Sequence, residues 1–266
     1  MNQKQIDREW DALLKSEKAF LQKAFPMKEE AQWQKKIEKY VPDKLEGTLN
    51  KAFYKAFELI FEKGTVWIEK TYDREKKEQD YKINEYAANL RGNAKSVKAF
   101  GRKARSGKLL NTAISTVEGF GMGILGMGLP DIPLFLSVVL KSIYELALDY
   151  GFSYDTEEEQ LFILKIIETA MLHGNSLLEG NDEIDAWMAK EACFTLNKQE
   201  QMQNTSYALS EELLYLKFVQ GVPVVGILGG VSDIIYQKKI TDYAALKYKR
   251  RFLKKMAQME TEDSSE

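Results

Sequence analysis

The chain reads as all-α, a multi-helix single domain built around two glycine-rich apolar hairpin segments, and three observations predict it. Only five prolines occur in 266 residues, while Ala, Leu, Lys, Glu and Gln recur in runs that favour helix. Apolar residues return at three-and-four spacing in segment after segment. Residues 119–140, GFGMGILGMGLPDIPLFLSVVL, are too apolar for an exposed loop and too rich in glycine for an ordinary helix. A shorter echo, GVPVVGILGGVSDII, spans residues 221–235, and both copies carry Gly-Ile-Leu-Gly followed by Asp-Ile. With 44% hydrophobic and 29% charged residues, the chain can bury a sizeable core. Residues 1–256 are assigned to that domain, and residues 257–266 to an acidic tail that frays.

Taken in order, Ile6, Trp10, Leu13, Leu14 and Phe20 repeat at helical spacing, with Glu17 off the pattern, so a first helix closes near Pro26. Residues 28–40 can form a second helix before Pro42. From there Leu45, Leu49, Ala52, Phe53, Ala56, Phe57, Ile60 and Phe61 predict a core helix ending about Gly64. The charged run 73–80 reads as a solvated helix face or loop. After residue 140 the apolar pattern continues through Ile143, Tyr144 and Leu148 to Gly151, a left-handed stop. Thr156 and Glu159 make a capping box opening a helix over about 157–173, with His173 in its last turn. A helix over about 182–194 follows, then LNKQEQMQN as a linker or exposed turn, then a helix over 206–219 ending at Gly221. Residues 236–257 form a basic helix.

The net charge of -2 argues against a generally basic nucleic-acid binder, and no nucleic-acid partner is expected. The total conceals asymmetry. Residues 91–108 carry seven Lys or Arg and no acid, among them Arg102, Lys103, Arg105 and Lys108. Residues 236–257 carry eight against one acid, Asp242, with Lys249, Arg250, Arg251, Lys254 and Lys255 among them. Each block flanks one apolar copy, as segments drawn to an anionic membrane surface do, so these nine residues are the membrane-surface candidates. The 22 residues of the first copy could span a bilayer, but Pro130, Asp131 and Pro133 break it, and the second copy is too short alone. Peripheral or re-entrant association, a wholly soluble core and a spanning hairpin all remain open.

Ordinary site chemistry finds little material. One histidine and one cysteine cannot make the usual metal sites, so no metal and no cofactor are expected. A Ser-His-Asp arrangement would need His173, which a helix C-terminus explains better. Cys193 reads as a small buried hydrophobe, and its solitude points to a reducing compartment. Residues 119–123 lack both the preceding strand and the Lys-Ser/Thr pair of a nucleotide loop. The candidates are therefore structural or pocket residues. Gly119 and Gly123, like Gly226 and Gly230, stand four apart where two backbones can approach closely, with Gly126 and Gly229 beside them. Asp131 and Asp233 each precede Ile at the start of a new helix, Asp131 between Pro130 and Pro133. They are either helix caps or two carboxylates meeting in a pocket between the repeats.

Gly-Met-Gly-Leu-Pro-Asp-Ile-Pro at 126–133 and Val-Pro-Val-Val-Gly-Ile-Leu-Gly-Gly-Val-Ser-Asp at 222–233, with the helix start Val-Pro-Asp-Lys at 41–44, resemble the bacterial EcsC family. The resemblance implies a cytoplasmic, mostly helical protein whose namesake is encoded beside the subunits of an ABC transporter, with no established catalytic residues. The expected function is a non-enzymatic accessory protein at the inner face of the cell membrane, with transporter subunits as partners. The alternative is a soluble helical enzyme acting on a lipid or other apolar small molecule, with Asp131 and Asp233 in its pocket.

Overall fold

The computed structural model describes residues 3–23, 43–91, 131–191, 193, 195–220 and 231–263. Its described elements are helical throughout: α1 (Gln3–Lys23), α2 (Asp43–Leu59), a π-helical turn (Ile60–Gly64), α3 (Thr65–Glu69), α4 (Arg74–Arg91), α5 (Asp131–Asp149), α6 (Glu157–Met171), α7 (Gly174–Met188), α8 (Lys198–Gln220) and α9 (Val231–Asp263). The expected helix over 28–40 lies outside the described residues.

Helix α5 is the centre. Ile132, Leu136, Val139, Leu140, Ile143, Tyr144, Leu146 and Ala147 are buried around its circumference, as required of a helix hydrophobic on every side. It packs against α2, α4 and α9. Pro133 sits in its first turn, where a missing N–H leaves no bond unmade, and is itself buried. At the other end Gly151 has φ +76°, with Phe152 N–H bonded to Ala147 O at 2.9 Å and Gly151 N–H to Leu148 O at 3.0 Å. These are the two bonds of a Schellman stop. Glycine is needed here twice over, because a Cβ would also lie 2.2 Å from the Tyr81 ring.

Helix α9 joins the rest, packing on α1, α5 and α6, while α6 also receives α7 and α8. Just past α5, Tyr150 packs on Phe252 with ring centroids 5.6 Å apart and Phe152 on Tyr248 at 5.9 Å. Tyr81, which lies against Gly151, bonds Lys255, so the part of α9 beyond Phe252 is past the end of α5; α5 packs along the earlier part of α9, and the two helices run in the same direction.

Several expectations change. The helix expected to end at Gly64 continues, because Gly64 keeps a right-handed φ of -84° and the turn widens instead, aligning Ile60, Gly64 and Ile68 as one buried row. The charged run 73–80 takes the first of its two readings, a solvated helix face: it is the capped start of α4, with Lys76 N–H on Asp73 Oδ1 at 2.9 Å and none of its residues buried. Helix α6 begins as expected, Thr156 Oγ1 accepting from Glu159 N–H at 3.2 Å, but ends at Met171. His173 is extended and precedes α7, which starts at Gly174, eight residues before the expected 182, and reaches only Met188. Gly180 lies within α7 because a Cβ there would come 2.8 Å from Thr169 Oγ1 on α6. The stretch read as a linker is the first turns of α8, opened by a capping box: Glu200 N–H on Asn197 Oδ1 at 2.9 Å, Asn197 N–H on Glu200 Oε2 at 3.1 Å. Its Gln201, Thr205, Ser206 and Ser210 are buried, bonded to Glu168, to Leu164 O or to carbonyls one turn back. Cys193, expected inside, is exposed in the connection after α7. Helix α9 runs on to Asp263, into the segment expected to fray.

Candidate functional site

Because α5 and α9 are parallel, both glycine-rich segments lead into the same end of the pair, called here the leading end. Asp131 and Asp233 belong to the first turns of α5 and α9 there, and their side chains lie outside the described residues. Gly119, Gly123, Gly126, Pro130, Gly226, Gly229, Gly230 and the basic residues Arg102, Lys103, Arg105 and Lys108 also lie outside the description. What is described at this end is unusual for a helix start. Ile234 and Ile235 are 48% and 46% exposed, and Lys238, one turn on, has a side chain 71% exposed beside Asp242.

Just behind them is an inter-helix acid centre that composition alone did not reveal. Glu212 of α8 is buried, with His173 Nε2 at 2.6 Å from one carboxylate oxygen and Lys239 Nζ at 3.2 Å from the other. Tyr236 Oη donates to Glu212 O at 2.7 Å. Burial would raise the Glu212 carboxyl, but the His173 hydrogen bond and the Lys239 charge outweigh it and hold it below the usual range. This centre ties α8 to α9 across the α6–α7 junction.

The other, trailing end of α9 uses its basic residues differently. Lys247 is completely buried, its Nζ 2.7 Å from Asp185 of α7 and 3.3 Å from Glu17 of α1. That pairing explains why Glu17, off the apolar pattern, faces the core. Arg250 bonds the same Glu17, and Lys249 Nζ lies 2.7 Å from Glu9. Arg251 Nη1 reaches both oxygens of Glu159 at 2.7 and 2.9 Å, and Tyr248 Oη donates to Glu159 at 2.6 Å. Lys255 Nζ is 3.1 Å from Tyr81 Oη and 3.5 Å from Glu85. Of the five candidate membrane-surface residues in α9, only Lys254 is without an ion pair among the described residues. The other four are held by the protein's own acids.

Arg251 also sits among aromatic rings, its guanidinium carbon 4.1 Å from the centroid of Phe152, 4.5 Å from Phe162 and 5.0 Å from Trp187. Above it opens a cleft of about 510 Å³ between the end of α7 and the end of α9, floored by Phe152, Trp187, Met188 and Ala257 and rimmed by Lys190, Lys254 and Lys255. Its members come from residues 152 to 258, so no local motif announced it. Among the described residues no three His, Cys, Asp or Glu side chains converge as metal ligands would, and no helix is long and apolar enough to cross a membrane.

An all-α protein whose two glycine-rich segments lead into parallel central helices, with a basic final helix folded back on the domain's acids, is the class defined by these features. The chain matches the EcsC protein family over residues 7–253 and belongs to it. No curated protein and no solved structure matches it.

Proposed function

We propose that this chain is a non-enzymatic accessory protein resting on the cytoplasmic face of a membrane through the leading end of the α5–α9 pair, where it associates with the subunits of an ABC transporter. The carrying observation is the exposure of Ile234 and Ile235 beside Lys238, on a helix continuing directly from GVPVVGILGG. Two isoleucines can enter the acyl boundary while a lysine one turn away meets phosphate, the division of labour of an interfacial amphipathic helix. The single cysteine supports a reducing compartment, and the transporter partner rests on the family resemblance alone. Co-sedimentation with anionic and neutral vesicles tests the reading. Binding to anionic vesicles that weakens as the Debye length shrinks from about 10 Å at 0.1 M to about 3 Å at 1 M salt is expected. Equal failure to bind either vesicle at low salt overturns it.

A further inference from the structure

The trailing-end cleft has no part in membrane contact at the leading end, and its construction points to a small ligand. We propose that it binds an amphiphilic anion: a single carboxylate or phosphate head carrying an apolar body, taken as a free molecule. A volume of about 510 Å³ is that of a small-molecule site. The floor of Phe152, Trp187, Met188 and Ala257 offers apolar surface for a chain or ring. The rim offers positive charge, since Lys190, Arg251, Lys254 and Lys255 outnumber Glu158 and Glu159.

Two features mark this as a prepared site. Arg251 is fixed on its faces by Phe152, Phe162 and Trp187 and uses only Nη1 on Glu159, leaving the Nε and Nη2 edges without a protein bond among the described residues. A guanidinium immobilised in this way loses little freedom on binding a planar anion. Lys190 has φ +61°, the only positive φ outside glycine among the described residues. It holds the left-handed position of a Schellman stop, with Lys190 N–H on Trp187 O and Glu191 N–H on Ala186 O, both at 3.0 Å. Glycine is the favoured residue there. A lysine accepts that strained backbone and brings to the rim a cation that, like Lys254, forms no ion pair among the described residues.

Titration calorimetry with the full chain tests this, using decanoate and decyl phosphate below their micellar concentrations, with decanol and acetate as probes lacking the head charge or the body. Saturable one-to-one binding of at least one amphiphilic anion is expected, at least tenfold tighter than decanol or acetate. The double substitution Lys190→Gly/Lys254→Gln should weaken it at least fivefold without loss of folding, because glycine suits the left-handed position. Decanoate and decyl phosphate, compared directly, identify the head. Ile234→Glu/Ile235→Glu should bind the anion like the parent, so failure of the membrane reading leaves this one standing. Binding of decanol as tight as of both anions, unchanged affinity in the lysine double variant, or no saturable binding would each overturn the proposal.

Discussion

At the leading end of α9, Lys238 stands in solvent beside the exposed Ile234 and Ile235; further along the same helix, Lys247 is wholly buried between Glu17 and Asp185, and Arg250 and Arg251 are held by Glu17 and Glu159. The residue types are alike and the physics is opposite. Taking an ammonium out of water costs several kcal/mol, so Lys247 is tolerable only because two carboxylates meet it, whereas Lys238 keeps its hydration. A basic segment counted along the sequence is therefore not a basic surface. In α9 much of the positive charge binds helices together; at the leading end Lys238 is solvent-exposed but paired with Asp242, and at the trailing end Lys254 has no ion pair among the described residues.

Removing the buried cation should have the largest effect. Lys247→Ala leaves two carboxylates facing the cavity and should destabilise by about 3 kcal/mol or more, read by denaturant unfolding, while Lys238→Ala should cost under about 1 kcal/mol. Similar losses in both would erase the contrast. Glu212→Gln should cost about 1 to 3 kcal/mol at neutral pH, since the amide loses the charge and keeps only one acceptor oxygen, presenting an NH2 to either His173 or Lys239. The Glu212 carboxyl is held low in the folded state, so its contribution is present above the unfolded value of roughly 4.3 and is lost as pH falls through the folded value. The gap between parent and variant in a melting series should thus close on acidification, and a gap that widens would contradict this assignment. Lys190→Gly, which relieves the positive φ, should leave stability equal or raise it by up to about 1 kcal/mol. Smallest is Asp131→Asn, a change of a few tenths of a kcal/mol if the residue caps α5.

How far the sequence could be read depended on whether a signal was local. The Gly151 stop is present as read, and of the Thr156–Glu159 box the half within the backbone turn is present, Thr156 Oγ1 accepting from Glu159 N–H, while the Glu159 carboxylate turns to Tyr248 and Arg251 of α9 instead of closing the box. The Asn197–Glu200 box was equally local, but the polar run after it suggested solvent; the burial of Gln201 and Thr205 depends on Glu168 and on Leu164 O of another helix. Glu17 looked like a flaw in an apolar stripe because its partners are more than two hundred residues away. His173 fits a helix end by type, and only the backbone shows it beginning the next element with its ring on Glu212. The cleft needed three separate segments to be folded together before any of its residues had a reason to be noticed.

The membrane claim meets its most direct test in vesicle co-sedimentation of two variants placed at the two ends of α9. Ile234→Glu/Ile235→Glu alters exposed side chains at the leading end, and Lys254→Gln neutralises a cation at the trailing end. With both confirmed to be folded like the parent, the leading-end variant should lose binding to anionic vesicles at low salt and the trailing-end variant should retain it. Retention by the isoleucine variant together with loss on Lys254→Gln would contradict the account and move the membrane contact to the opposite end of the helix.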